Sequence, residues 1–314
     1  MSGPRALALV GPTAAGKSRL GIGIAERFGL PILCCDSVQV YRGLDIGSAK
    51  PTPEQRGRVR HELLDLVEPD QHFSAGDFAR AALEELAEGF GLFVGGTGFY
   101  LRAAAWTNSG GDGGETGDLG ERAARAAFMT AWEAKEAAEE GSIYAELRRR
   151  DQETAGEIHP RNRVRALRAL WLCEVHGRPV SEVRREDPPR PRIELGVIVL
   201  DPGTAEVDRA IDARCEAMLA EGWLAEVEKL RRAGYDARHK AMRSLGYSQL
   251  LEVVEGRSDL SAATALIKAE TRRYARRQRT YFRWQLPAAW RVELASPEAA
   301  PWSAIERFIA GGVP

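Results

Sequence analysis

The chain predicts an α/β fold: a parallel sheet core flanked by helices, with an all-helical insertion. Three observations carry this. The first hundred residues alternate short apolar runs with amphipathic ones, the pattern of βαβ units. The first apolar run, Ala6 to Val10, leads into Gly11-Pro12-Thr13-Ala14-Ala15-Gly16-Lys17-Ser18 and then into the amphipathic stretch Arg19 to Phe28. Further on, Glu121 to His176 turns rich in Ala, Glu and Arg without a strand signal.

Taken in order, the eight residues 11–18 fit G-x-x-x-x-G-K-[ST], and a strand before with a helix after is the context that makes this a phosphate-binding P-loop. The core is therefore expected to be of the P-loop NTPase type. Backbone N–H groups and the helix N-terminus bind phosphate oxygens. Lys17 adds a point charge, and Ser18 offers its hydroxyl to Mg²⁺. The bland alternative is a chance glycine turn. Ile32 to Cys35 predicts a second buried strand and Leu63 to Val67 a third. Ala79 to Glu88 predicts a helix, and Gly91 to Val94 a strand running into Gly95-Gly96-Thr97-Gly98. Ligands of such sheets lie beyond the carboxyl ends of the strands. Asp36, Ser37 and Thr97 are thus expected to converge with the P-loop on one rim.

Asn108 to Gly120 is glycine-rich and acidic and reads as a hinge, with a passive linker and a lid as equal alternatives. Arg178 to Arg192, rich in Pro and charge, reads as a connection back to the core. Ile193 to Leu200 predicts a strand rejoining the sheet. Helices follow over Ala205 to Ala220, Trp223 to Arg232, Ser244 to Val254 and Ala262 to Trp284, then a strand over Trp290 to Leu294 and a short helix over Ala304 to Ala310. The expected division is residues 1–120 for the first part of the core, 121–177 for the helical insertion and 178–314 for the rest of the core.

Composition narrows the class. The 314 residues are 44% hydrophobic and 28% charged, ordinary for a soluble globular protein. With a net charge of −1, any nucleic-acid binding must come from local patches. No signal sequence and no apolar stretch long enough for a bilayer are present, so a cytoplasmic location without a membrane partner is expected. Cys34, Cys35, Cys173 and Cys215 form no C-x-x-C pair, which argues against a zinc or redox motif. The five histidines are scattered without metal-ligand spacing.

A carboxylate after a central strand beside a P-loop, Asp36, has three readings: it holds Mg²⁺, acts as a general base, or caps the next turn. Ser37 and Gln39 are suited to holding a base edge or a ribose. Lys50 reads as a surface lysine. In Gly95-Gly96-Thr97-Gly98-Phe99-Tyr100, the glycines allow close backbone approach and Thr97 offers a hydroxyl and an N–H to a phosphate. Arginines form two clusters: 148, 149, 150, 161, 163, 165 and 168, then 272, 273, 276, 277, 279 and 283, the latter interleaved with Tyr274, Tyr281, Phe282 and Trp284. A solvated, Glu-paired helix is the bland reading; two clusters in a nearly neutral chain favour nucleic acid.

Together these segments resemble the tRNA dimethylallyltransferase (tRNA isopentenyltransferase) family, bacterial type. The matching stretches are GPTAAGKS at 11–18, DSVQVYRGLDIGSAKP at 36–51, GGTGFY at 95–100, IHPRNRVRALRAL at 158–170, IDARCEAMLAEGWLAEVEKL at 211–230, MRSLGYSQL at 242–250 and TRRYARRQRTYFR at 271–283. They follow the family's order over nearly the whole chain. Phe99, Tyr281 and the pair Arg161-Asn162 depart from the usual residues, the last putting the local turn in question. The resemblance implies transfer of a dimethylallyl group from its diphosphate to N6 of the adenosine 3′ of the anticodon, position 37. It implies that Gly11, Pro12, Thr13, Ala14, Ala15, Gly16, Lys17 and Ser18 hold the diphosphate, with Mg²⁺ at Ser18. It makes Asp36 the general base and assigns catalytic parts to Thr97, Lys17 and Arg214. It implies tRNA contacts from Asp36, Ser37, Val38, Gln39, Thr97, Arg122, Val164, Arg165, Ala166, Leu167 and Arg168. The partners implied are the tRNA anticodon stem-loop and dimethylallyl diphosphate, with a monomer expected. A small-molecule kinase would explain the P-loop but not the segment 36–51. An RNA-binding module with a vestigial loop would bind without turnover.

Overall fold

The computed structural model describes residues 4–87, 89–107 and 119–312. In it the N-terminal apolar run becomes β1 (Arg5–Val10), with only Arg5 incompletely buried. The P-loop follows and feeds α1 (Lys17–Phe28), which starts after Gly16 at φ +89° and stops at Gly29 in the left-handed conformation. A left-handed glycine is the common way to end a helix without steric cost. Next come β2 (Ile32–Cys35), α2 (Pro53–Arg58) and β3 (His61–Glu62). α2 opens on a capping box between Thr52 and Gln55, which satisfies two backbone donors reciprocally. α3 (Ala75–Ala87), β4 (Gly91–Gly95) and α4 (Gly98–Ala105) complete this half.

Two sequence expectations change here. The third strand is the two residues of β3, not Leu63 to Val67. Leu63 and Asp65 have positive φ, and Asp65 N and Val67 N donate to Gln39 O and Val40 O. Residues 63–67 are thus recruited by the segment after β2. Lys50, expected on the surface, is buried. Its Nζ donates to Tyr41 O at 2.6 Å, to Asp45 Oδ1 at 2.8 Å and to Asp65 Oδ1 at 2.6 Å. A buried ammonium needs such partners, and they cross-link residues 41, 45 and 65.

Residues 106–192 form a compact unit of their own, made of α5 (Leu119–Ala138), α6 (Ser142–Arg150), α7 (Gln152–Glu157), α8 (Arg163–His176) and α9 (Val180–Glu186). Its core packs Ile143, Leu147, Leu167 and Leu170 with Phe128 and Trp132. Asp151 caps α7 from Thr154 and also accepts from Ser181 N at 2.8 Å, tying α9 down. Asn162 caps α8 by accepting from Arg165 N, so the unusual Arg161-Asn162 pair still makes a sound helix start.

The second unit comprises residues 1–105 with 193–314. Its return segment supplies β5 (Glu194–Leu200), α10 (Thr204–Ala220), α11 (Trp223–Arg232), α12 (Tyr247–Val254), α13 (Leu260–Trp284), β6 (Trp290–Leu294) and α14 (Trp302–Ile309). The sheet has the order β3-β2-β4-β1-β5-β6 and all its pairings are parallel. β1 lies between β4 and β5, which explains its unbroken apolar run, since parallel strands are covered on both faces. Every strand then delivers its following loop to the same edge. Among the described residues no helix is long and apolar enough to cross a membrane.

Candidate active site

Three of the loops at that edge build the site: residues 11–16 after β1, 36–52 after β2 and 96–97 after β4. The first is shaped by close approach. A Cβ on Gly11, at φ +148°, would stand 2.1 Å from Leu200 O of β5. Ala14 is held at φ +63°, an uncommon conformation for a residue with a Cβ and one that recurs at ligand sites. Lys17 Nζ turns back onto Gly11 O (3.1 Å) and Pro12 O (2.7 Å). Burial, with the Arg214 charge beside it, lowers Lys17 to about 7, and Asp36 opposes the shift. Arg214, on α10, donates to Thr13 Oγ1 at 3.2 Å. Burial lowers it as well, again against Asp36.

Asp36 lines the same cavity as the P-loop, and Thr97 braces the loop that carries it. Asp36 Oδ1 accepts from Val38 N (2.8 Å) and Gln39 N (3.3 Å). It therefore caps its turn, and the same carboxylate lines the cavity with the P-loop. Thr97 Oγ1 accepts from Ser37 N at 3.1 Å, joining the loops after β2 and β4. Gln39 spends its amide on Ser48 O and Ala49 O, so it shapes the loop. Tyr274 of α13 lines the same cavity, its phenol pushed up to about 12 by burial and the Asp36 charge.

Thr13, Lys17, Ser18, Asp36, Gly96 and Arg214 line a cavity of about 110 Å³. It shares Thr13, Asp36, Arg214 and Tyr274 with a cavity of about 280 Å³, and Lys17, Ser18 and Arg214 with an outer one of about 930 Å³. The arrangement brings two basic side chains, Lys17 and Arg214, the Ser18 hydroxyl and the Asp36 carboxylate to one cavity.

The remaining expectations sort by burial. In α8, Val164 is 81% exposed and Arg165 is exposed. The Ala166 and Leu167 side chains are buried in the core of the helical unit. Arg168 is half-buried and already engaged. The Arg122 side chain and residues 108–118 lie outside the described residues. The C-terminal arginine cluster is largely structural: Arg272 pairs with Asp212, Arg276 with Asp208 and Arg279 with Asp201. These acids lie on or just before α10, so the pairs fasten α13 to it. Arg277 instead stacks over Tyr274 and lines the cavity of about 280 Å³.

Sequence reasoning missed Gln278, Trp223 and Glu226, and it read Tyr274 only as an aromatic among the arginines, not as part of this cavity. Glu226 accepts from Asp45 N, Ile46 N and Tyr247 Oη, holding the loop after β2. Residues 267, 271, 274 and 278 recur at helical spacing on the cavity side of α13, a signal masked by the arginines between them.

A P-loop α/β core with a carboxylate facing the loop, and a helical unit inserted before β5, defines the class. The family described as IPP transferase matches residues 39–285. A relative from Geotalea uraniireducens named tRNA dimethylallyltransferase 2 is 39% identical over 294 residues, covering 90% of both chains. A tRNA dimethylallyltransferase from Gloeobacter violaceus is 39% identical over 311 residues, covering 96% of this chain and 97% of its own. The crystal structure of a tRNA isopentenylpyrophosphate transferase from Bacillus halodurans superposes with a TM-score of 0.64 at 29% identity, over 98% and 96% of the two chains. A eukaryotic dimethylallyltransferase captured acting on tRNA shares the fold, with a TM-score of 0.80 at 21% identity over 98% of this chain and 80% of its own. The chain belongs to the IPP transferase family, and it is an enzyme of the prenyltransferase kind.

Proposed function

We propose that this chain transfers a dimethylallyl group from dimethylallyl diphosphate to N6 of adenosine 37 of tRNA, the base 3′ of the anticodon, releasing diphosphate. The observation that carries the reading is that Asp36 faces Lys17, Ser18 and Arg214 in one cavity of a member of this family.

The N6 lone pair of adenine is delocalised into its ring, so the amine is a poor nucleophile. As its bond to the allylic C1 forms, the C1–O bond breaks and its electron pair passes to the diphosphate oxygen. Asp36 takes the N6 proton, an assistance worth about 10²–10⁴-fold. Its Oδ1 is held by two backbone N–H groups, which leaves Oδ2 to take the proton. The P-loop N–H donors, Lys17 and Arg214 meet the charge growing on the diphosphate, which is stronger in the transition state than in the ground state. Thr97, whose Oγ1 fixes Ser37 N, is assigned to the substrate. Ser18 is suited to Mg²⁺, which takes one or two protein oxygens and completes its shell from phosphates and water. Among the described residues no group of three His, Cys, Asp or Glu side chains offers a rival site. The ion would neutralise charge on the diphosphate. Asp36 to Gln39 and the exposed Val164 and Arg165 are assigned to the tRNA. The base must leave its stack to reach the cavity.

The test is direct. The protein is incubated with Mg²⁺, dimethylallyl diphosphate and unmodified tRNA carrying adenosines after the anticodon, then the RNA is digested and analysed by mass spectrometry. An N6-dimethylallyl adenosine is expected. Hydrolysis of ATP without alkylated product would contradict the reading.

A further inference from the structure

The loops after β1 and β4 begin side by side, because Val10 and Gly95 are partners in the sheet. They then diverge, one into α1 and the other into α4. Gln278 of α13 spans the gap between them. Its Oε1 accepts from Thr13 N at 2.8 Å and its Nε2 donates to Gly96 O at 2.8 Å. The residue is 5% exposed. A primary amide is the group that offers an acceptor and a donor from one rigid end, and the two backbone groups fix which way it points. The mount is also rigid: Ala275 is buried against Val207 and Ile211 of α10. The next residue, Arg279, is clamped by Asp201 and Thr204. The absence of a side chain at residue 96 goes with this contact. A Cβ on Gly96 would lie 2.1 Å from Gln278 Nε2, so the glycine leaves the space the amide fills.

We infer that Gln278 is a positioning residue that sets the distance between the diphosphate loop and the loops that carry Thr97 and Asp36. The inference rests on the proposed allyl transfer. The nucleophile and the leaving group sit on different loops, and an in-line displacement tolerates little change in their separation. A displacement of about 1 Å can cost about 10²-fold in rate. Gln278 lines the same cavity, but both ends of its amide are engaged by Thr13 N and Gly96 O, so its loss affects the joint geometry more than the affinity for either substrate alone.

Two variants test it: Gln278→Met, which keeps length and burial but neither hydrogen bond, and Gly96→Ala, which leaves Gln278 in the chain and displaces its amide. Each is assayed for kcat and for KM of both substrates. Binding of inorganic pyrophosphate and of unmodified tRNA is measured separately. The expected result is a fall in kcat of about 10- to 100-fold, with both single-ligand affinities within about threefold of wild type. The double variant should be no slower than the slower single one, because both disrupt the same link. If Gln278→Met does not fold, Gly96→Ala carries the test. Wild-type kcat in the variants, or a loss fully explained by weaker pyrophosphate or tRNA binding, would overturn the inference. A wild-type protein that transfers no allyl group contradicts the functional reading and the inference with it. A working wild type matched by its variants contradicts the inference alone.

Discussion

Lys17 shows how burial prepares a residue for its ligand. In the free protein its ammonium is satisfied by two carbonyl oxygens and lowered from 10.5 to about 7 by burial and by Arg214. Above about pH 7 the folded chain therefore holds it neutral while the unfolded chain still holds it charged. Between that pH and 10.5 the unfolded state binds more protons, and this group's contribution to stability rises with pH. A bound diphosphate reverses the preference by favouring the cation. Dimethylallyl diphosphate binding at pH 8 should thus take up about one proton, and almost none at pH 6. Calorimetric titration in two buffers of different ionisation enthalpy measures the uptake, and heats at pH 8 that do not depend on the buffer would contradict it.

At the scale of elements, the rim of the sheet is built from loops locked by distant groups. The segment after β2 is held by Lys50 from within, by Glu226 from α11, and by Trp223. A Cβ on Gly47 would stand 1.9 Å from Trp223 Nε1. Gly47→Ala should destabilise the protein by about 1–3 kcal/mol, the usual cost of overpacking, and lower turnover. A urea midpoint equal to wild type would show that the indole can move aside. The same contacts explain what could be read from sequence. β1, β2, β4 and β5 are apolar runs followed by glycine or a polar residue, so the strands and the P-loop were legible locally. So was the placement of Asp36 and Thr97, because parallel strands send their following loops to one edge. Residues 63–67 look like a strand because their apolar content is local. Their true partners, Gln39, Val40 and Lys50, lie some way back along the chain. Gln278 was hidden for a similar reason: its partners, Thr13 and Gly96, are at the other end of the sequence.

For the whole molecule, a net charge of −1 means that RNA affinity depends on which arginines remain free. The acids of α10 answer for Arg272 and Arg276, whereas Arg165 has no acidic partner among the described residues and is exposed. Arg165→Ala should weaken tRNA binding and reduce the slope of log affinity against log salt by about 0.7–0.9, one counterion contact. Arg272→Ala should lower stability and leave the slope alone. Binding titrations over a salt series check both, and a slope change confined to Arg272→Ala would reverse the assignment. In the proposed reaction the cavity divides the labour, with leaving charge taken by the P-loop side and the proton by Asp36. Asp36→Asn tests it most directly, because asparagine keeps the Oδ1 that caps the turn and loses the base. Under single turnover with saturating substrates, a rate lower by about 10²–10⁴-fold is expected, with tRNA affinity within about threefold of wild type. Transfer by Asp36→Asn at the wild-type rate would contradict it.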